Sequence, residues 1–112
     1  MNKLQATAIL LAAAALEAGG DALVRMGLKH SVSTSRVAYF ICGALVLFAY
    51  GVTVNAPDWD FGRLLGLYVV FFFVIAQVVS WVFFNQPPST ATLLGGLLIV
   101  AGGVVIGVAN NQ

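Results

Sequence analysis

Four long apolar stretches dominate the sequence, and their lengths leave little choice of fold. They cover about residues 4–28, 37–54, 64–84 and 91–109. Each is close to the roughly 17–25 residues that cross a bilayer as a helix. Within lipid a backbone must pair its own N–H and C=O groups, which favours helices or closed barrels. Barrel strands would alternate in polarity, and Val69-Val70-Phe71-Phe72-Phe73-Val74-Ile75 does not. The expectation is an all-α membrane protein, one four-helix transmembrane domain over residues 1–112. Composition agrees, because 61% of the residues are hydrophobic and 8% are charged. A soluble domain carries about 25% charged residues.

The connections read as turns. Lys29–Arg36 is polar, and Asn55–Arg63 holds Pro57, Asp58, Asp60 and Gly62. Asn85–Thr90 holds two prolines, residues that stop one helix and suit the start of the next. The first stretch has some features of a secretory leader, with Lys3 before an apolar run. Its apolar character continues past Asp21 to Leu28, so it reads as a retained helix. Lys3 and Arg63 fall on one face of the membrane, and Lys29 and Arg36 on the other with Arg25 nearby. That near balance slightly favours a cytoplasmic first loop and permits insertion in both orientations.

Function classes narrow quickly. A net charge of +1 gives no basic surface for nucleic acid. The single cysteine, Cys42, has no disulfide or metal partner and reads as a small buried residue. His30 stands alone in a loop. No nucleophile–base pair, metal cluster or phosphate loop is visible, so neither enzyme activity nor a cofactor is expected.

The polar residues inside the spans carry the functional signal. Glu17, Asp21 and Arg25 recur at a spacing of four, which stacks them on one helical stripe. Charges at mid-bilayer are costly and mark bundle interiors, cavities and ion paths. Glu17 has no basic residue within a turn, so it is the first candidate for a binding site. Ala13, Ala14 and Gly20 around it leave room for a neighbouring helix or a ligand. Asp21 has two readings: a second site carboxylate, or the partner of Arg25 in an ion pair. A carboxylate in this setting either holds a proton or neutralises a cation, and each excludes the other.

Other positions carry weaker signals. Gln77, Ser80 and Trp81 share a helical face, with Phe84 one turn on. They could support a cavity or bond across helices. Tyr68 lies nearly opposite Gln77 on a straight helix. Tyr39 and Tyr50 read more readily as interface anchors than as cation–π partners. Gly103 and Gly107 form a GxxxG in a helix that is otherwise purely apolar. They are expected to pack against a second copy of the chain rather than within it.

The chain resembles the small multidrug resistance family of the EamA-like drug/metabolite transporter superfamily. The likeness rests on LEAGGDALVR (Leu16–Arg25), SWVFFNQ (Ser80–Gln86) and GGLLIVAGGVVI (Gly95–Ile106). It implies a bacterial inner-membrane exporter of small cationic compounds, driven by protons and packed as an antiparallel homodimer through the fourth helices. It also implies that Glu17 of both copies shares the proton and substrate site. Tyr68 stands where the family has a tryptophan near the start of the third helix, which makes it a candidate substrate contact beside Glu17 and Asp21, and the family's glycine hinge is missing there. FGRLLGLY (Phe61–Tyr68) is also similar to the YnfA-like four-helix membrane family. Two other readings stay open at this point. One is a non-transporting small subunit or interaction protein. The other is a carrier of polar or lipid-linked metabolites in the same superfamily, with Asp21 and Arg25 as a polar clamp.

Overall fold

The structure is a computed structural model, and it describes residues 2–109. Four helices follow one another: α1 Lys3–Lys29, α2 Ser33–Val54, α3 Phe61–Phe84 and α4 Thr90–Ala109. All four are long and apolar enough to cross a membrane. The described residues contain no strand.

Local chemistry explains the helix ends. The Asn2 side chain accepts a hydrogen bond from the Gln5 N–H at 2.7 Å, and the Gln5 side chain accepts one from the Asn2 N–H at 3.1 Å. This reciprocal cap satisfies two N–H groups that the first turn leaves unpaired. At the end of α3, Asn85 takes the left-handed conformation with φ 54°. Asparagine tolerates that region better than most residues. Gln86 then donates its backbone N–H to the Ser80 carbonyl at 3.0 Å, and Pro87 and Pro88 follow. α2 begins at Ser33, four residues before the apolar run that predicted it. Its first turn is polar yet helical, with the Arg36 guanidinium 5.7 Å from the centre of the Phe40 ring.

The helices lie in the order α2, α1, α3, α4, each packed mainly on its neighbours in that row. The Cα trace spans 53 × 33 × 19 Å. A helix with side chains is about 10–12 Å across, so the row is a thin slab rather than a closed ring. Lipid is the solvent for its apolar faces, which is why Phe48, Phe83 and Leu98 can point outward.

Small residues set the helix spacing. Between α1 and α2, a Cβ on Gly43 would lie 2.7 Å from Val24 Cγ2 and 3.2 Å from the Gly20 carbonyl oxygen. Only glycine allows that approach without displacement. Between α3 and α4, Gly103 lies directly beneath Val70, and a Cβ on Gly107 would touch Leu67. The expectation that Gly103 and Gly107 pack a second copy is therefore revised, because both face α3 of their own chain. The glycines of α4 that face open space are Gly95 and Gly102.

The core sits toward the Lys3 end of the slab. Leu10, Ala13 and Ala14 of α1 meet Val54 of α2 and Leu64 and Tyr68 of α3, all buried. Toward the other end, α1 offers Ala18, Gly19 and Ala22, whose small side chains leave two grooves, each of about 470 Å³. Glu17 stands where the packed half gives way to the grooved half.

Candidate functional site

Glu17 is set by α1 near the middle of a 27-residue helix. Tyr68, two turns into α3, donates its hydroxyl to Glu17 Oε1 at 2.8 Å. Tyr68 is 4% exposed, the only polar side chain in the core cluster. A hydrogen bond to a charged acceptor is shorter and stronger than a neutral one, and low dielectric strengthens it further. Tyr68 therefore gives the carboxylate a fixed position.

Aromatic rings complete the surroundings. The Tyr50 and Tyr68 ring centres are 5.6 Å apart, and Tyr68 and Phe72 are 6.1 Å apart. Glu17, Tyr50, Tyr68 and Phe72 line a pocket of about 270 Å³, with Leu65 and Val69. That space is large enough for a small organic ion, and ring faces attract cations.

Tyr50 is the residue that sequence reasoning placed elsewhere, as an interface anchor. Gly43, Leu47, Tyr50 and Val54 form the α2 face that meets α1 and the core. Their spacing of four, three and four is a helical stripe and was the available signal. Tyr39, in contrast, sits near the opposite end of α2, its ring 5.2 Å from His30. Cys42 is exposed, not buried, and borders a shallow hollow with Leu23 of α1 and Tyr39.

Asp21 and Arg25 open onto a different space. They line one of the larger grooves with Gln77, Ser80, Phe72 and Phe84. Arg25 turns toward Phe84, its guanidinium carbon 5.3 Å from the ring centre, and Lys29 approaches the same ring at 5.9 Å. The two cations thus share the Phe84 ring, which borders the groove. Phe72 lines both this groove and the Glu17 pocket, so the two spaces are neighbours.

Gln77 lies in the groove while Tyr68 lies in the Glu17 pocket, as opposite faces of a straight helix require. Trp81 does not join them. It is 58% exposed and lies outside the groove. At 100° per residue, Ser80 and Phe84 fall to one side of Gln77, and Trp81 falls to the other. The shared face expected for Trp81 is corrected accordingly.

The comparisons with known proteins agree with a membrane chain. No family model matches the chain, and no solved structure matches it significantly. A UPF0060 membrane protein of Clostridium perfringens is 31% identical over 108 residues, 95% of each chain. Another from Herpetosiphon aurantiacus is 28% identical over 108 residues, covering 95% of this chain and 96% of its own. The Bacillus subtilis UPF0060 membrane protein YfjF is 30% identical over 99 residues, 88% of each chain. These relatives support the YnfA-like likeness of Phe61–Tyr68. All three are bacterial, consistent with a place in the bacterial cell membrane. Matching at 31% identity over nearly its whole length, the chain belongs to the UPF0060 family of membrane proteins.

Proposed function

We propose that this protein is a proton-coupled exporter of small cationic compounds that works as a pair of chains, in the manner of the small multidrug resistance family. The observation that carries the reading is the 2.8 Å hydrogen bond from Tyr68 to Glu17 inside an aromatic pocket. An uncompensated carboxylate within a bilayer is costly. Glu17 can lower that cost by taking a proton or by pairing with a cation. It cannot do both at once. Binding of the cation on one side of the membrane then expels the proton, and the reverse occurs on the other side. Tyr50, Tyr68 and Phe72 supply ring faces for the cation, and Tyr68 holds the carboxylate in place for it.

A second copy completes the reading. One chain is a slab 19 Å deep along its thinnest Cα extent, too thin to enclose a path. Gly95 and Gly102 face outward from α4, where small residues let another helix approach. The near balance of Lys and Arg between the two faces suits pairing of oppositely inserted chains.

The groove of Asp21, Arg25, Gln77 and Ser80 favours a second reading, a carrier of zwitterionic or polar metabolites. Asp21 and Arg25 would then hold opposite ends of the solute.

The test is transport into proteoliposomes under an imposed proton gradient. The panel holds labelled guanidinium, quaternary ammonium and polyamine compounds with neutral and zwitterionic solutes beside them; at least one of the cations should move in exchange for protons, and Glu17→Gln should stop it. Movement of only neutral or zwitterionic solutes would favour the second reading. No gradient-driven movement of any of them would overturn both.

A further inference from the structure

The Lys3 end of the molecule carries a separate feature that the exchange site does not use. α1 and α4 both pack on α3, and the seam between them forms a groove of about 340 Å³. Lys3 and Arg63 line its mouth with Trp59. Leu67, Phe71 and Val104 line its apolar part. Arg63 and Phe71 are eight residues apart on α3, so the groove runs about 12 Å along the helix at 1.5 Å per residue.

The chemistry at the mouth is one-sided. Two cations line the groove and no carboxylate does. Asp58 and Asp60, in the adjoining connection, are exposed and lie outside it. The Arg63 guanidinium carbon stands 5.0 Å from the centre of the Trp59 ring. Its Nε is buried and has no acceptor. A buried guanidinium N–H without an acceptor is costly, and guanidinium geometry suits phosphate oxygens. Trp59 marks the level of the headgroups, where amphipathic rings are favoured.

We propose that this groove is a binding site for an anionic phospholipid. Lys3 and Arg63 hold its phosphate, and one acyl chain lies along Leu67, Phe71 and Val104. The apolar lining of Leu67, Phe71 and Val104 continues for about 6 Å beyond the two cations, along α3 from Leu67 to Phe71, and that pairing fits the upper part of an amphiphile rather than a free anion. A juxtamembrane cation contributes about five-fold to the preference for anionic lipid, and two contribute about 25-fold. The site lies at the opposite end of α1 from the Asp21 groove and stands independently of the exporter reading.

Trp59 reports on the site directly, because the chain has two tryptophans and Trp81→Phe leaves Trp59 alone. The Trp81→Phe protein is placed in phosphatidylcholine vesicles containing phosphatidylglycerol, with bromine on the acyl chains of one lipid or the other. Brominated phosphatidylglycerol should quench Trp59 at far lower mole fraction than brominated phosphatidylcholine. Arg63→Gln should reduce that preference about five-fold, Lys3→Gln by a similar factor, and Arg63→Lys should retain most of it. Retention in Arg63→Lys separates loss of charge from loss of fold, and Lys3→Gln, near the chain start, tests the site if Arg63→Gln misfolds. Equal quenching by both lipids would overturn the proposal, as would a preference unchanged in Lys3→Gln and Arg63→Gln. Displacement of the brominated phosphatidylglycerol by inorganic phosphate would assign the site to a free anion and also overturn it.

Discussion

Tyr68 and Glu17 are 51 positions apart in the chain and 2.8 Å apart in space, hydroxyl to carboxylate. This bond ties α1 to α3 at the boundary between the packed core and the open grooves. It also puts the carboxylate beside three rings. Removing the donor while keeping the ring isolates its contribution. Tyr68→Phe should weaken cation binding by up to about ten-fold, with the roughly 1.5 kcal/mol of a hydrogen bond to a charged group as the ceiling, because the bond is already made without the cation. The helical content should not change. Equilibrium binding of a fluorescent quaternary ammonium compound measures the difference.

The pH dependence has a definite sign. In the proposed exchange a cation pairs with the Glu17 carboxylate, and a proton competes for the same oxygens. Apparent affinity should therefore fall as pH falls, approaching a ten-fold loss per unit where one proton is displaced per cation bound. At high pH it should level off. In Glu17→Gln the residual binding should be flat across the same range. Titrations at several pH values, with wild type beside the variant, check both parts.

The α1–α2 contact makes a prediction about stability. A side chain on Gly43 would press on Val24 and on the Gly20 carbonyl, which belongs to backbone and cannot turn aside. Gly43→Val should cost about 1–3 kcal/mol, the range for overpacking a close contact. Gly51, on the same helix, has nothing within 4 Å of a Cβ, so Gly51→Val is the matched control. Reversible unfolding in mixed detergent micelles would show the difference.

Neighbouring glycines on α4 should behave differently. Gly103→Leu would drive into Val70 and loosen α4 from α3. Gly102 faces open space, so Gly102→Leu should leave the single chain intact while lowering self-association. Sedimentation in density-matched detergent, combined with unfolding, separates the two effects. Loss of stability in both variants with no change in association would place the copy-to-copy contact elsewhere.

Much of this architecture was legible because hydrocarbon is an unforgiving solvent. It requires about 20 apolar residues per span, and a costly group such as Glu17 stands out against that background. Tyr68 was within reach as a candidate contact, although its hydroxyl bond to Glu17 depends on how α1 and α3 are juxtaposed. The start of α2 was harder, because Ser33, Thr34 and Ser35 have turn chemistry and become helical without a side-chain cap. The partner of Gly103 was not legible. A GxxxG says that a helix approaches closely, and it does not say which helix. Trp81 was misplaced by 40° of helical rotation, enough to move a side chain from a groove to an outer face.

The central claim is that Glu17 exchanges a proton for a cation. Proton release tests it most directly, measured in weakly buffered detergent solution as guanidinium, quaternary ammonium and polyamine compounds are added to purified protein. The account predicts release by the wild type on adding at least one of these classes, and none by Glu17→Gln, which keeps the size and an acceptor for Tyr68. Binding of a cation by the wild type without proton release, or equal release by the variant, would contradict it.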